Sequence, residues 1–292
     1  MAYSVSESYD YCRALARQTA HNFYYSFLAL PRSRLRAMCV LYSFMRVTDD
    51  LGDSDQAAAV RAAELAHWQK SLVRACHNGP CDHPVLPALV EVIRNYQIPL
   101  EYLLDVIAGV EMDLEPVEFA TFDRLADYCY HVAGAVGLAC IHLWGFHDNR
   151  ARQAAVDCGT AFQLTNILRD LGEDADKGRV YLPGEDLDRF GLCAGDIIRD
   201  CRGERFARLM QFEVSRAREY YVRAQPLYDY LDAPGKPILE AMLRIYGGLL
   251  DEIERRGYDV FTRRVELSRW RKICVAAHSI ARHKFYSVFR AF

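Results

Sequence analysis

Apolar residues along this chain recur at i, i+3 and i+4 almost throughout, and the strict alternation of a half-buried strand is rare. Ala-rich stretches such as 56–66 (QAAAVRAAELA) add helix propensity to that pattern. Helix-breaking punctuation falls at Pro31, at Asn78-Gly79-Pro80, at Pro84 and Pro87, at Pro99, Pro116 and Gly145, at Pro183-Gly184 and at Pro234-Gly235. The pieces between these breaks have helical length, and none of the breaks resembles a long flexible linker. The pattern predicts an all-α chain of roughly ten helices, forming one domain over residues 1–292. The clearest non-helical connection is 178–186 (GRVYLPGED).

One stretch has no charged face. Tyr128 to Phe146 (YCYHVAGAVGLACIHLWGF) contains no Asp, Glu, Lys or Arg and is nearly long enough to span a bilayer. Its two His, three Gly and two Tyr dilute that apolarity. A helix apolar all round is a core helix unless lipid explains it, so a buried helix is expected, with His131 and His142 in the core or partly buried.

Composition narrows the class. Apolar residues at 51% and charged residues at 26% are globular values and exclude wholesale disorder. Lys plus Arg number 36 against 39 Asp plus Glu, a net charge of −3, which argues against a general nucleic-acid binder. The ten Cys show no C-x-x-C spacing and read as reduced thiols. The N-terminal residues lack a basic segment followed by an apolar run, and no apolar anchor closes the C-terminus, so a cytoplasmic location is expected.

The candidate chemistry lies in two acidic segments. In Arg46-Val-Thr-Asp49-Asp50-Leu-Gly-Asp53, Asp49 and Asp53 stand four apart and share a helix face, with Arg46 one turn before Asp49 and an apolar run, 38–44 (MCVLYSF), upstream. In Gln163-Leu-Thr-Asn166-Ile-Leu-Arg169-Asp170-Leu-Gly-Glu173-Asp174, Asp170 and Asp174 repeat the spacing. Gln163 and Asn166 fall on the same stripe, while Leu164, Ile167, Leu168 and Leu171 turn away from it. Like charges at i, i+4 are unfavourable by a few tenths of a kcal/mol. One such pair alone reads as a solvated acidic face; two, each beside an Arg and backed by apolar residues, read as a cation site. Oxygen-only donors point to Mg²⁺, which keeps several waters and bridges to phosphates, so a diphosphate clamp is expected.

The string 163–183 (QLTNILRDLGEDADKGRVYLP) strongly resembles the squalene/phytoene synthase family. Leu41 to Asp53 (LYSFMRVTDDLGD), 127–137 (DYCYHVAGAVG), 258–265 (YDVFTRRV) and 22–31 (NFYYSFLALP) resemble further family segments in the expected order. The resemblance covers about residues 10–275. It implies an all-α prenyl-synthase fold around a deep apolar cavity, and Mg²⁺-dependent head-to-head condensation of two prenyl diphosphates. By position, it implies that Asp49, Asp53, Asp170 and Asp174 bind Mg²⁺–diphosphate and that Gln163 and Asn166 support the second site. Arg46 and Arg169 would hold diphosphate oxygens, Tyr128 would lie near the reacting carbons, and Tyr246 and Arg264 are weaker diphosphate candidates.

Departures from the family's pattern are Ala20-His21-Asn22-Phe23, where the family usually has Ser or Lys-Ser before the Phe, and Gly52, where a β-branched or small apolar residue is usual. His21 is expected either to be solvated or to contact diphosphate. Phe27 would cap a cavity sized for a farnesyl tail, whereas the small Cys39 would leave room for a longer one. Two farnesyl diphosphates giving presqualene diphosphate is the leading expectation. The alternatives are phytoene synthesis from geranylgeranyl diphosphate, a hydroxysqualene synthase acting on presqualene diphosphate, and a catalytically silent scaffold. The scaffold reading is weakened by the retention of all four Asp. No G-x-G-x-x-G fingerprint supports NADPH. The cations of 269–282 suit peripheral membrane docking, and the chain is expected to be a monomer or a homodimer.

Overall fold

A computed structural model describes residues 3–20, 24–114 and 118–289 of the chain. The named elements among these residues are all helical, and an isolated antiparallel bridge joins Phe146 to Leu231. Helix α1 spans Val5–Thr19 and begins with a capping box: Ser4 Oγ accepts from the Glu7 amide at 3.3 Å, and the Glu7 carboxylate accepts from the Ser4 amide at 2.9 Å. A single turn, α2 (Tyr24–Phe27), leads through Pro31 to α3 (Arg32–Gly52), followed by α4 (Ala58–Cys76), α5 (Leu86–Tyr96) and α6 (Leu100–Met112). Pro87 sits in the first turn of α5 and Pro99 caps α6, positions where a missing amide hydrogen breaks no helical bond.

The uncharged stretch is not one continuous α-helix. Helix α7 (Phe122–Cys129) passes into a π-helical turn, Tyr130–Gly134, and then α8 (Ala135–Trp144). The long α9 (Ala151–Asp176) packs against the π turn, α8 and, further along the chain, α12 (Glu204–Ala224) and α14 (Lys236–Arg255). Short helices α10 (Gly184–Arg189), α11 (Ala194–Ile198) and α13 (Leu227–Tyr230) connect these, and α15 (Arg269–Phe289) closes the described chain. There are thus fifteen α segments among the described residues rather than roughly ten. The surplus lies in α2, α10, α11 and α13, each too short for a 3.6-residue periodicity to register in the sequence.

Leu164, Ile167, Leu168 and Leu171 of α9 are buried, as their stripe predicts. The opposite stripe is brought close to the α7–α8 unit by glycine: a Cβ on Gly159 would stand 2.4 Å from the Ala133 carbonyl oxygen. Gly52 plays the same part at the end of α3, where a Cβ would lie 2.2 Å from Val110 Cγ1 on α6. That contact accounts for a glycine beside the first Asp pair. His131 and His142 are half-buried, their Nδ1 atoms 3.2 Å from the Asp105 carbonyl and 3.3 Å from the Tyr96 carbonyl. No helix among the described residues is long and apolar enough to cross a membrane.

Candidate active site

A cavity of about 370 Å³ lies between α3, α6, the α7–α8 unit, α9 and α14. Most of its wall is apolar, including Met38, Leu41, Val106, Val136, Ile141 and Trp144. Its polar residues are Asp49, Asp113, Gln163 and Asn166, with Tyr42, Tyr128 and Tyr246 also in the wall. Met38 and Asp49 both line it from α3, so it extends about 16 Å along that helix at 1.5 Å per residue.

The first acidic pair closes α3. The Asp53 amide donates to the Asp49 carbonyl at 2.9 Å, so Asp53 caps the helix while keeping its side chain on the Asp49 face. Asp49 opens into the cavity, so water reaches it although protein surrounds it. That desolvation, reinforced by the neighbouring Asp53 charge, raises its pKa to about 7. Arg46 pairs with Asp50 instead, one turn along the helix, and does not line the cavity. Asp53 is well exposed and has Arg179 as its nearest cation, at 3.9 Å.

The second pair is held differently. Arg169 grips Asp170 with Nε at 2.8 Å from Oδ1 and a second, shorter contact to Oδ2. Arg264, arriving from the segment between α14 and α15, donates to the same Oδ1 at 2.9 Å and stands 3.6 Å from Glu173. Among the described residues no guanidinium is paired with Asp174 in this way; burial first, and the Asp170 charge second, raise its pKa to about 6 against the opposing pull of Lys177 and Arg179. Gln163 and Asn166 face the cavity, with Asn166 Nδ2 donating to Gln163 Oε1 at 3.4 Å. Tyr246 lies over Phe162, ring centres 4.4 Å apart, and burial pushes its phenol up to about 12.

Two groups absent from the sequence reading complete the polar region. Asp113 caps the end of α6 and lines the cavity. It accepts from the Tyr128 hydroxyl on one oxygen and from the Tyr181 hydroxyl on the other, each at 3.0 Å. Asp113 acts electrostatically on Asp49 and Asp174 alike, so a fifth carboxylate lies within reach of both pairs. Arg179 acts on Asp113, Asp174 and Tyr181 and stands beside Asp53. Nothing in the local spacing marks Asp113, which stands 57 residues before Asp170; Arg179 lay inside the string 163–183 without a role.

The remaining candidates divide. Phe27, 1% exposed, lines the cavity and packs against Tyr42, ring centres 6.0 Å apart. Cys39 is buried but does not line the cavity, so its small side chain opens no room there, contrary to expectation. The cause is rotation: Met38 and Leu41 occupy the inward stripe of α3 and Cys39 falls about 100° from Met38. His21, Asn22 and Phe23 lie outside the described residues.

The donor set suits a hard cation. All the candidate ligands are oxygens, and Asn166 Oδ1 is buried with no hydrogen-bond partner, an acceptor that a hydrated Mg²⁺ can satisfy. Among the described residues no three His, Cys, Asp or Glu side chains gather closely enough to hold a metal by themselves. The Asp groups come in twos, which fits an ion taking one or two carboxylates and completing its shell from water and phosphate.

Of the four paired carboxylates Asp49 lines the apolar cavity, joined there by Asp113, while Asp53, Asp170 and Asp174 stand outside its lining. The sequence profile of the squalene/phytoene synthase family matches residues 16–271, and the chain belongs to that family of prenyltransferases, which condense prenyl diphosphates head to head. Over 283 residues it is 36% identical to a 15-cis-phytoene synthase of Synechococcus elongatus, covering 93% of this chain and 92% of that protein. Its fold is similar to a dehydrosqualene synthase crystallised with a ligand, with a TM-score of 0.86 and 26% identity over 99% of this chain and 98% of that one. It is also similar to squalene synthase HpnC of Alicyclobacillus acidocaldarius, with a TM-score of 0.82 and 28% identity over 87% of this chain and 95% of that one.

Proposed function

We propose that the protein, as one domain, joins two farnesyl diphosphates head to head into a presqualene-type cyclopropyl diphosphate. The observation that carries this reading is one cavity whose mostly apolar wall includes the carboxylates Asp49 and Asp113 and the amides Gln163 and Asn166. Asp49, Asp53, Asp170 and Asp174, with Asn166 and Gln163 beside them, would hold Mg²⁺–diphosphate. Mg²⁺, when bound, neutralises charge on the departing diphosphate. Arg169 and Arg264, and Arg46 once released from Asp50, offer guanidinium forks matched to diphosphate oxygens. The wall from Met38 to Trp144 excludes water from an allylic cation. The Tyr128 ring, which lines the cavity and packs at a tilt against Tyr181 and Phe119, offers a negative face to that cation.

Chain length rests on Phe27, whose ring fills part of the cavity wall and favours the farnesyl tail. A second reading, two geranylgeranyl diphosphates giving phytoene, is favoured by the 36% identity to a 15-cis-phytoene synthase. The test incubates the purified protein and Mg²⁺ with each diphosphate, with and without NADPH, and analyses the lipid extract by mass. A C30 cyclopropyl diphosphate from farnesyl diphosphate is expected. A C40 product formed only from geranylgeranyl diphosphate selects the second reading, and no condensed product from either sinks both. Peripheral docking on anionic membrane belongs to the same reading, supported by Trp270 at 76% exposure beside exposed Arg271 on α15. Failure to sediment with anionic vesicles at low salt would remove it.

A further inference from the structure

Tyr128 is 3% exposed, and its hydroxyl is committed: the hydrogen points at Asp113 Oδ2, 3.0 Å away. A phenol whose hydrogen is engaged in this way keeps its oxygen lone pairs for accepting, and Tyr128 lines the cavity. The Tyr181 hydroxyl occupies Asp113 Oδ1 at the same distance, which stops the carboxylate from rotating. The rings lock this arrangement, with Tyr128 and Tyr181 centres 5.5 Å apart and Phe119 packed on both at 5.2 and 6.3 Å.

We propose that Asp113 is the positioning residue for Tyr128, aiming its oxygen at the substrate and taking its hydroxyl proton as the cyclopropane ring closes. The proposal rests on the head-to-head reading above. After the ionised C1 of one prenyl unit has bonded to the double bond of the other, the ring closes by loss of a C1 proton. The C1–H electron pair becomes the second ring carbon–carbon bond. The proton passes to the Tyr128 oxygen as the Tyr128 hydroxyl proton passes to Asp113, so charge and atoms balance and no further reagent is needed. Burial raises the Asp113 pKa, and the Asp53 charge adds to it, which makes the carboxylate a better acceptor for that proton.

The test is Asp113→Asn, which keeps the shape and one acceptor but cannot take a proton. Substrate carrying deuterium at C1 and Mg²⁺ are supplied, and released diphosphate and condensed product are both counted. The expected result is about a 100-fold fall in kcat for condensed product with KM changed less than about threefold. Diphosphate release should exceed condensed product, the surplus appearing as water-trapped prenyl alcohol, and the deuterium isotope effect should rise above that of the wild type. Asp113→Glu, which restores the acceptor, should recover most of the wild-type ratio. Because altering a buried carboxylate can unsettle the fold, the ratio and the isotope effect decide, not the rate. If both stay at wild-type values in Asp113→Asn, or fall away equally in Asp113→Asn and Asp113→Glu, the role of Asp113 is overturned. The wild-type control separates the two readings, since absence of condensed product from the wild type sinks the function itself.

Discussion

The two acidic segments carry the same D-x-x-x-D spacing, and the fold treats them in opposite ways. At the end of α3, Asp49 faces the cavity with no guanidinium on it, because Arg46 is turned to Asp50. At the end of α9, Asp170 carries two guanidinium partners, Arg169 and Arg264, one of them from 94 residues away. The first pair is therefore short of positive charge, and Asp49 titrates near neutrality. The second is already neutralised at one member, and Arg264 must leave Asp170 or share it before that carboxylate can serve a cation. Equal spacing thus produces unequal surroundings: Asp49 is left facing the cavity while Asp170 is held by two guanidinium groups.

The glycines beside the two pairs differ in the same sense. Gly52 clears a side chain, Val110, whereas Gly172 clears backbone: a Cβ there would stand 2.9 Å from the Val260 carbonyl oxygen and 3.2 Å from the Phe261 Cα. Val260 and Phe261 begin the strap that carries Arg264 to Asp170.

The largest effect expected from this comparison is loss of turnover on removing either carboxylate that anchors a pair. Asp49→Ala and Asp170→Ala should each lower kcat by about 10³-fold or more while the circular dichroism spectrum stays native. A double variant that remains fully active would dismantle the clamp. Arg264→Ala should separate the two sites. It frees one oxygen of Asp170 and removes a diphosphate partner, so KM for the prenyl diphosphate should rise about tenfold while Asp49 behaves as before. An unchanged KM would mean that Arg264 only fastens the strap.

The pH dependence sharpens the contrast further. Asp49 and Asp174 have folded pKa values of about 7 and about 6, above the ordinary 3.8. A raised carboxyl pKa favours the fold when protonated, so its contribution is fully present below pH 3.8 and is lost as pH rises through about 7. Without divalent cation the Tm should fall between pH 5 and about 7.5. With millimolar Mg²⁺ that fall should shrink, because the cation favours the ionised carboxylates. A Tm that ignores Mg²⁺ at pH 7.5 and above would contradict the assignment. The smallest effects belong to the glycines. Gly52→Ala and Gly172→Ala should each destabilise by about 1–3 kcal/mol. Gly172→Ala should be the more damaging to KM, since backbone gives way less readily than a valine side chain and moving it carries Arg264 along. Equal KM for the two variants would break the link between strap and site.

What the sequence determined by itself is local in origin. The 3.6-residue period specified helices, the i, i+4 spacing put Asp49 with Asp53 and Asp170 with Asp174, and the uncharged 128–146 stretch specified a buried wall. The π turn within that wall left no mark on the pattern, because a single wider turn shifts the period by less than the pattern's own scatter. Only the tertiary structure decided which arginine serves which carboxylate, since a guanidinium on a long stem reaches several partners and the nearest in space need not be nearest in sequence. It turned Cys39 away from the cavity, fitted Gly52 against Val110, and brought Asp113 from the end of α6 to Tyr128, Tyr181 and both acidic pairs. Those outcomes depend on how helices are rotated and how closely they approach, which is set by packing between segments distant along the chain and has no local signature in it.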